Sequence, residues 1–108
     1  KVNDMEWELS QTKVALENKI QALFIQKERL REQELIAKQM ADDYQLLYMG
    51  EKKKFEAGES SLFLVNIRES KLIEAIIKSI SLEVAQRKTE ITYHYAVTFP
   101  ESSIFQKF

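Results

Sequence analysis

An all-α fold, built as one long antiparallel helical hairpin with coiled-coil packing, is what three features of the sequence predict. Turn material is scarce: the 108 residues include two glycines and one proline, while 31% of the chain is charged. Good helix formers dominate from Met5 to Lys54. A line of apolar residues also returns at every seventh position, through Val2, Leu9, Leu16, Leu23 and Leu30, and continues as Ala37 and Tyr44. Seven-residue recurrence over that distance marks a helix with a coiled-coil seam.

The first helix is predicted over about residues 3–57. Companion apolar residues come irregularly, at Met5, Ile20, Phe24, Ile36, Met40, Leu47, Tyr48 and Phe55. They predict a stripe broader than a two-stranded seam, in contact with more than one neighbouring helix. Gly50 weakens this helix by about 1 kcal/mol relative to Ala without ending it. The turn is placed at 57–61, where Ala57, Gly58 and Glu59 precede Ser60 and Ser61. A glycine suited to a left-handed cap stands directly before two serines able to start a new helix.

The second helix is predicted over about 62–96, with Leu62, Val65, Leu72 and Ile76 on one stripe and Ile73, Ile77, Ile80, Val84 and Ile91 on another. Glu34 before Lys38, Glu74 before Lys78 and Glu83 before Arg87 are read as solvated rungs that support the helices. Between Ile91 and Phe99 apolar and polar residues alternate, so a short strand competes with helix there. Pro100 marks a stop, and 97–108 is expected to form a loose tail of this single hairpin domain. Folding back at the turn sets Phe55 opposite Leu64, Tyr44 opposite Ala75 and Ile76, and Leu23 opposite Ala96. Residues before about Ile20 are then left without an intramolecular partner, and the isolated chain is expected to self-associate.

Composition narrows the function classes. With a formal net charge of −1 and a pI near 5.9, the chain has no electrostatic footprint for nucleic acid or anionic lipid. The absence of cysteine removes disulfides and thiolate catalysis and leaves the redox compartment open. No apolar run approaches the roughly 20 residues that a membrane-spanning helix needs. Lys1 is neither an initiator methionine nor the start of a signal peptide, so the chain reads as a soluble segment excised from a longer protein.

No catalytic or cofactor-binding set emerges, and neither enzyme activity nor a cofactor or metal is expected. The sole histidine, His94, lacks the converging ligands a metal requires. Asp42 and Asp43 are read as solvated charges, because two helices offer no cleft to shift their pKa values. Lys52, Lys53 and Lys54 lie too close to Glu51, Glu56 and Glu59 to argue for a phosphate backbone. Phosphate-binding glycine loops and nucleophile elbows are missing as well.

The stretch from Phe55 to Glu69 resembles the repeat signature of TolC-type outer-membrane efflux proteins. In that signature an aromatic residue, a small residue and glycine precede Ser or Thr, an apolar helix start follows, and Asn or Asp, Arg and Glu come next. Phe55, Gly58, Ser60, Ser61, Leu62, Val65, Asn66, Arg68, Glu69 and Leu72 match it as they stand. A looser likeness covers about Leu30 to Tyr95, and Glu59 to Glu69 looks like the form found in homologues of Bacteroidetes type. The resemblance implies a trimeric channel in the outer membrane of a Gram-negative bacterium, of which this chain is the second helical hairpin of the periplasmic tunnel. It implies that a periplasmic adaptor protein docks at the tip, on Ala57, Gly58, Glu59, Ser60 and Ser61. Membrane contact would come only through a barrel outside this chain. Where a well-known member of the family closes the pore with a tyrosine, an arginine and aspartates, this sequence holds Phe55, Ser60, Leu64 and Ile67. Apolar packing of Phe55, Leu64 and Ile67 is therefore the expected constriction.

A second reading stands beside it: a coiled-coil oligomerisation or scaffold module without a transport role. That module would need one narrow seam running straight through residues 50–62, whereas a channel segment needs wide stripes and a turn.

Overall fold

The computed structural model describes residues 2–99 and the side chains from Asn3. They form two helices, α1 (Val2–Glu56) and α2 (Leu62–Thr98), joined by a turn over 57–61 into an all-α hairpin. No strand occurs among the described residues. The strand-like alternation after Ile91 is overridden because Tyr93 and Ala96, three apart, are the residues turned inward. Helix therefore continues past Ala96 to Thr98, where the Phe99 N–H bonds the Tyr95 carbonyl at 2.8 Å. The expected tail from Pro100 onward lies outside the described residues.

The described chain divides into two compact units. The turn unit is continuous, Leu30–Ala85, and contains the whole reversal. On its α1 side the inward positions are Leu30, Glu34, Ala37, Ala41, Tyr44, Tyr48 and Glu51. On its α2 side they are Val65, Arg68, Leu72, Ala75, Ser79 and Leu82. Both sets advance in alternating steps of three and four, the spacing that keeps one face of a helix toward a single partner. Among the described residues, the terminal unit pairs those up to Arg29 with those from Gln86 to Phe99. Its seam carries Ile20, Leu23 and Lys27 against Gln86, Thr89, Tyr93 and Ala96, with Ala96 only 1% exposed. There the Phe24 and Tyr93 rings lie 5.9 Å apart, and the Lys27 ammonium sits over both, 5.3 and 4.8 Å from their centroids. A cation on two ring faces gives that half-buried lysine stem a favourable end.

These seams are narrow and mix large residues such as Leu30, Tyr44, Val65 and Leu72 with small or polar ones, which corrects the expectation of a broad stripe buried within the hairpin. Ile36, Met40, Leu47 and Phe55 remain exposed on α1. On α2 the entire second stripe, Ile73, Ile77, Ile80, Val84 and Ile91, is exposed, Ile77 at 59%. The reason is geometric. Two helices cover each other along about two positions in seven, and residues on the flanks or the far side find a neighbour only if a third helix arrives. The expected rungs are adjusted too. Glu34 pairs with Lys38 at 3.1 Å, but its side chain is 14% exposed because it occupies a seam position. Glu74 pairs with Lys71 at 3.9 Å.

Gly50 sits inside α1, and nothing lies within 4 Å of a Cβ added there. Gly50→Ala is therefore expected to raise stability by about 0.5–1 kcal/mol through backbone entropy alone. Urea unfolding followed by circular dichroism measures this, and a loss of stability would mean that the backbone needs glycine at that position.

Candidate functional site

Glycine and serine chemistry shape the turn. α1 ends because Gly58 adopts φ +77°, a left-handed conformation that costs a side chain about 1 kcal/mol or more. Two backbone bonds close it: the Glu59 N–H donates to the Lys54 carbonyl at 2.7 Å and the Gly58 N–H to the Phe55 carbonyl at 3.0 Å. That is the Schellman arrangement, in which orphan carbonyls at a helix end are satisfied by the residues that leave it. On the far side Ser61 opens α2, its hydroxyl accepting the Leu64 N–H at 3.2 Å while its carbonyl accepts the Val65 N–H at 3.1 Å. A serine in this place answers one of the donors that a helix start leaves over.

Beneath the turn lies a polar clamp. The Glu51 carboxylate, in a residue only 9% exposed, accepts the Ser60 hydroxyl at 2.7 Å and the Arg68 Nε at 3.4 Å. One acidic group thus ties α1 to the turn and to α2. The Ser60 bond is the main cause holding the Glu51 carboxyl below its ordinary value of 4.5; burial opposes it, and the Arg68 bond and the Lys54 charge add to the lowering.

A group whose folded-state pKa is depressed stabilises the fold above its unfolded value and loses that contribution as pH falls through the folded one. The gap in thermal midpoint between the native chain and Glu51→Gln is therefore expected to be constant above 4.5 and to close below it. A gap that persists unchanged down to about pH 2 would show that the carboxylate charge does not hold the clamp.

Of the tip residues, Ala57, Gly58, Glu59 and Ser61 are exposed and Ser60 is half-buried beside Glu51. Nothing lies within 4 Å of a Cβ built on Gly58, so its surface is open to an approaching molecule. Phe55, Leu64 and Ile67 flank the turn and keep 41%, 44% and 39% of their surfaces accessible. The hairpin's own packing leaves all three available for contact.

Elsewhere the side chains are ordinary. His94 is exposed and edges toward Tyr93 at a ring distance of 6.4 Å, and no group of three or more metal-ligating residues occurs among the described residues. Asp43 accepts a bond from Gln39 at 3.0 Å. No helix among the described residues is long and apolar enough to cross a membrane.

In the sequence Glu51 stands out only as a neighbour of the lysine run. A signal was present: Glu51 lies seven residues beyond Tyr44, on the same seam line. A charge on that line is half-buried by position and needs a partner. Comparison with protein-family models, with curated proteins and with solved structures gives no match.

Proposed function

We propose that this chain is a wall segment of a TolC-type outer-membrane export channel: a passive conduit element whose turn docks a periplasmic adaptor. The observation that carries the reading is the division of the apolar surface. The seams take only part of the large apolar side chains, such as Leu30, Val65 and Leu72, with Ala37, Ala75 and Ser79 between them, while Ile73, Ile77 and Ile80 stay outside. A hairpin standing alone gains nothing from such a surface, whereas a hairpin set between neighbours in a tubular wall uses it as the lateral joint. The turn supplies the second support. It falls on the residues that resemble the family signature, and it presents an open glycine at the end of a rigidly capped reversal.

On this reading the channel is a homotrimer, performs no reaction and needs no cofactor, and an inner-membrane pump supplies the energy. The test is made on the full-length protein. It should fractionate with the outer membrane as a trimer, and a photoreactive residue in place of Glu59 should cross-link to a periplasmic adaptor. Recovery as a monomeric or dimeric protein away from the outer membrane overturns the proposal.

One observation favours the scaffold reading. Glu51, Val65, Leu72 and Ser79 prolong the seven-residue line beyond Tyr44, and the position between Glu51 and Val65 is Gly58. A straight helix through the turn would thus keep its seam on one face. In this chain the turn is closed, and the scaffold reading requires it to open.

A further inference from the structure

The continuity of the seam raises a question of folding choice. Two copies with helices running straight through 57–61, laid antiparallel, would repeat the seam pairings of the hairpin, each pair now shared between copies. Apolar burial is then nearly equal in the closed and exchanged forms, and the decision falls to groups at the turn.

Those groups divide by whether their contacts survive the exchange. Glu51 and Arg68 face each other across the seam at 3.4 Å, so the exchanged pair re-forms this contact between copies. The Ser60 bond has no such equivalent. Ser60 reaches the Glu51 carboxylate at 2.7 Å from nine residues along the chain, and only because the chain has turned. In a straight helix nine residues span about 13.5 Å, out of reach within one copy, and the other copy's Glu51 lies about as far away.

We infer that the Ser60 hydroxyl, bonded to the Glu51 carboxylate, is the latch that selects the closed hairpin over a helix-exchanged pair of chains. The left-handed Gly58 permits the reversal, and the latch makes it the preferred form. Arg68 strengthens both forms alike and does not discriminate between them. The inference is independent of the transport reading.

Hydrogen exchange on the 108-residue chain separates the two forms. In the closed hairpin the amides of Ser60 to Phe63 precede the first backbone bond of α2, from Val65 to Ser61, and should exchange fast. In the exchanged pair they join a continuous helix and exchange slowly. Association through the outer faces leaves them fast and cannot mimic the effect.

Ser60→Ala is expected to raise the slowly exchanging population about tenfold or more over the native chain at equal concentration, because each exchanged pair gives up two such bonds. That population should grow with concentration. Ser60→Thr, which keeps the hydroxyl, should behave as the native chain. Arg68→Gln should lower the thermal midpoint without enlarging the slow population. The inference is overturned if Ser60→Ala shows no slow population, or if Arg68→Gln produces as much of it. Loss of helix content in Ser60→Ala also overturns it, since a latch between two equally buried forms leaves the helices intact.

Discussion

If the chain is the channel wall segment proposed above, replacing Ile77 and Ile80 together by glutamate is expected to leave the hairpin's helix content and melting nearly unchanged, yet to abolish trimer assembly in the full-length protein. Leu72→Glu should do the reverse in order of events: it unfolds the hairpin first, and assembly fails as a consequence. The contrast rests on burial. Leu72 is 7% exposed in the seam of the turn unit, whereas Ile77 and Ile80 are 59% and 54% exposed on the outer face of α2. An exposed substitution away from special features stays within about 0.5 kcal/mol. A carboxylate forced into the place of a buried leucine loses the apolar transfer term and leaves an unpaired charge, about 3 kcal/mol or more.

Thermal melting of the isolated chain and trimer abundance of the full-length protein read the two effects separately. Normal assembly of the Ile77→Glu, Ile80→Glu variant would show that the outer stripe is not the lateral joint. A large drop in its melting temperature would show that the stripe serves the hairpin itself.

The fold was legible because helix periodicity and turn chemistry are local properties. Heptads through Leu16, Leu23 and Leu30 announced α1, and Gly58 followed by Ser60 and Ser61 announced the reversal. Which apolar residues face inward was less legible. Ile76 and Ile73 look alike in sequence, and both end up exposed. The seam takes Ala75, which the fold-back register sets opposite Tyr44, and Ser79, a small polar residue that carries no apolar signal but lets two helices approach closely. The clamp was hidden for a related reason. A glutamate and an arginine seventeen residues apart have no local relation, and they meet only after the turn has set the register. Their charges were visible; their pairing depended on a long-range consequence of Gly58.

The second large effect concerns Gly58 itself, where folding and docking must be told apart. Gly58→Ala puts a side chain on a backbone at φ +77°, with open space around it, so its cost is conformational and about 1 kcal/mol. Seam contacts away from the turn are untouched, and the hairpin should survive. Gly58→Trp carries the same backbone cost and adds an indole where the turn is otherwise bare. If the exposed glycine is where an adaptor's own helical turn approaches, the bulky variant should assemble into trimers of normal abundance but bind adaptor poorly and lose export. Gly58→Ala should retain most of both. Adaptor co-purification and export, each normalised to trimer abundance in the outer membrane, are the measurements. Lys78→Trp, on α2 within the turn unit and away from the turn, is the control for a bulky substituent. Normal export with Gly58→Trp, or equal failure with Lys78→Trp, would leave Gly58 with a structural role alone, because neither outcome is compatible with a steric block confined to the turn.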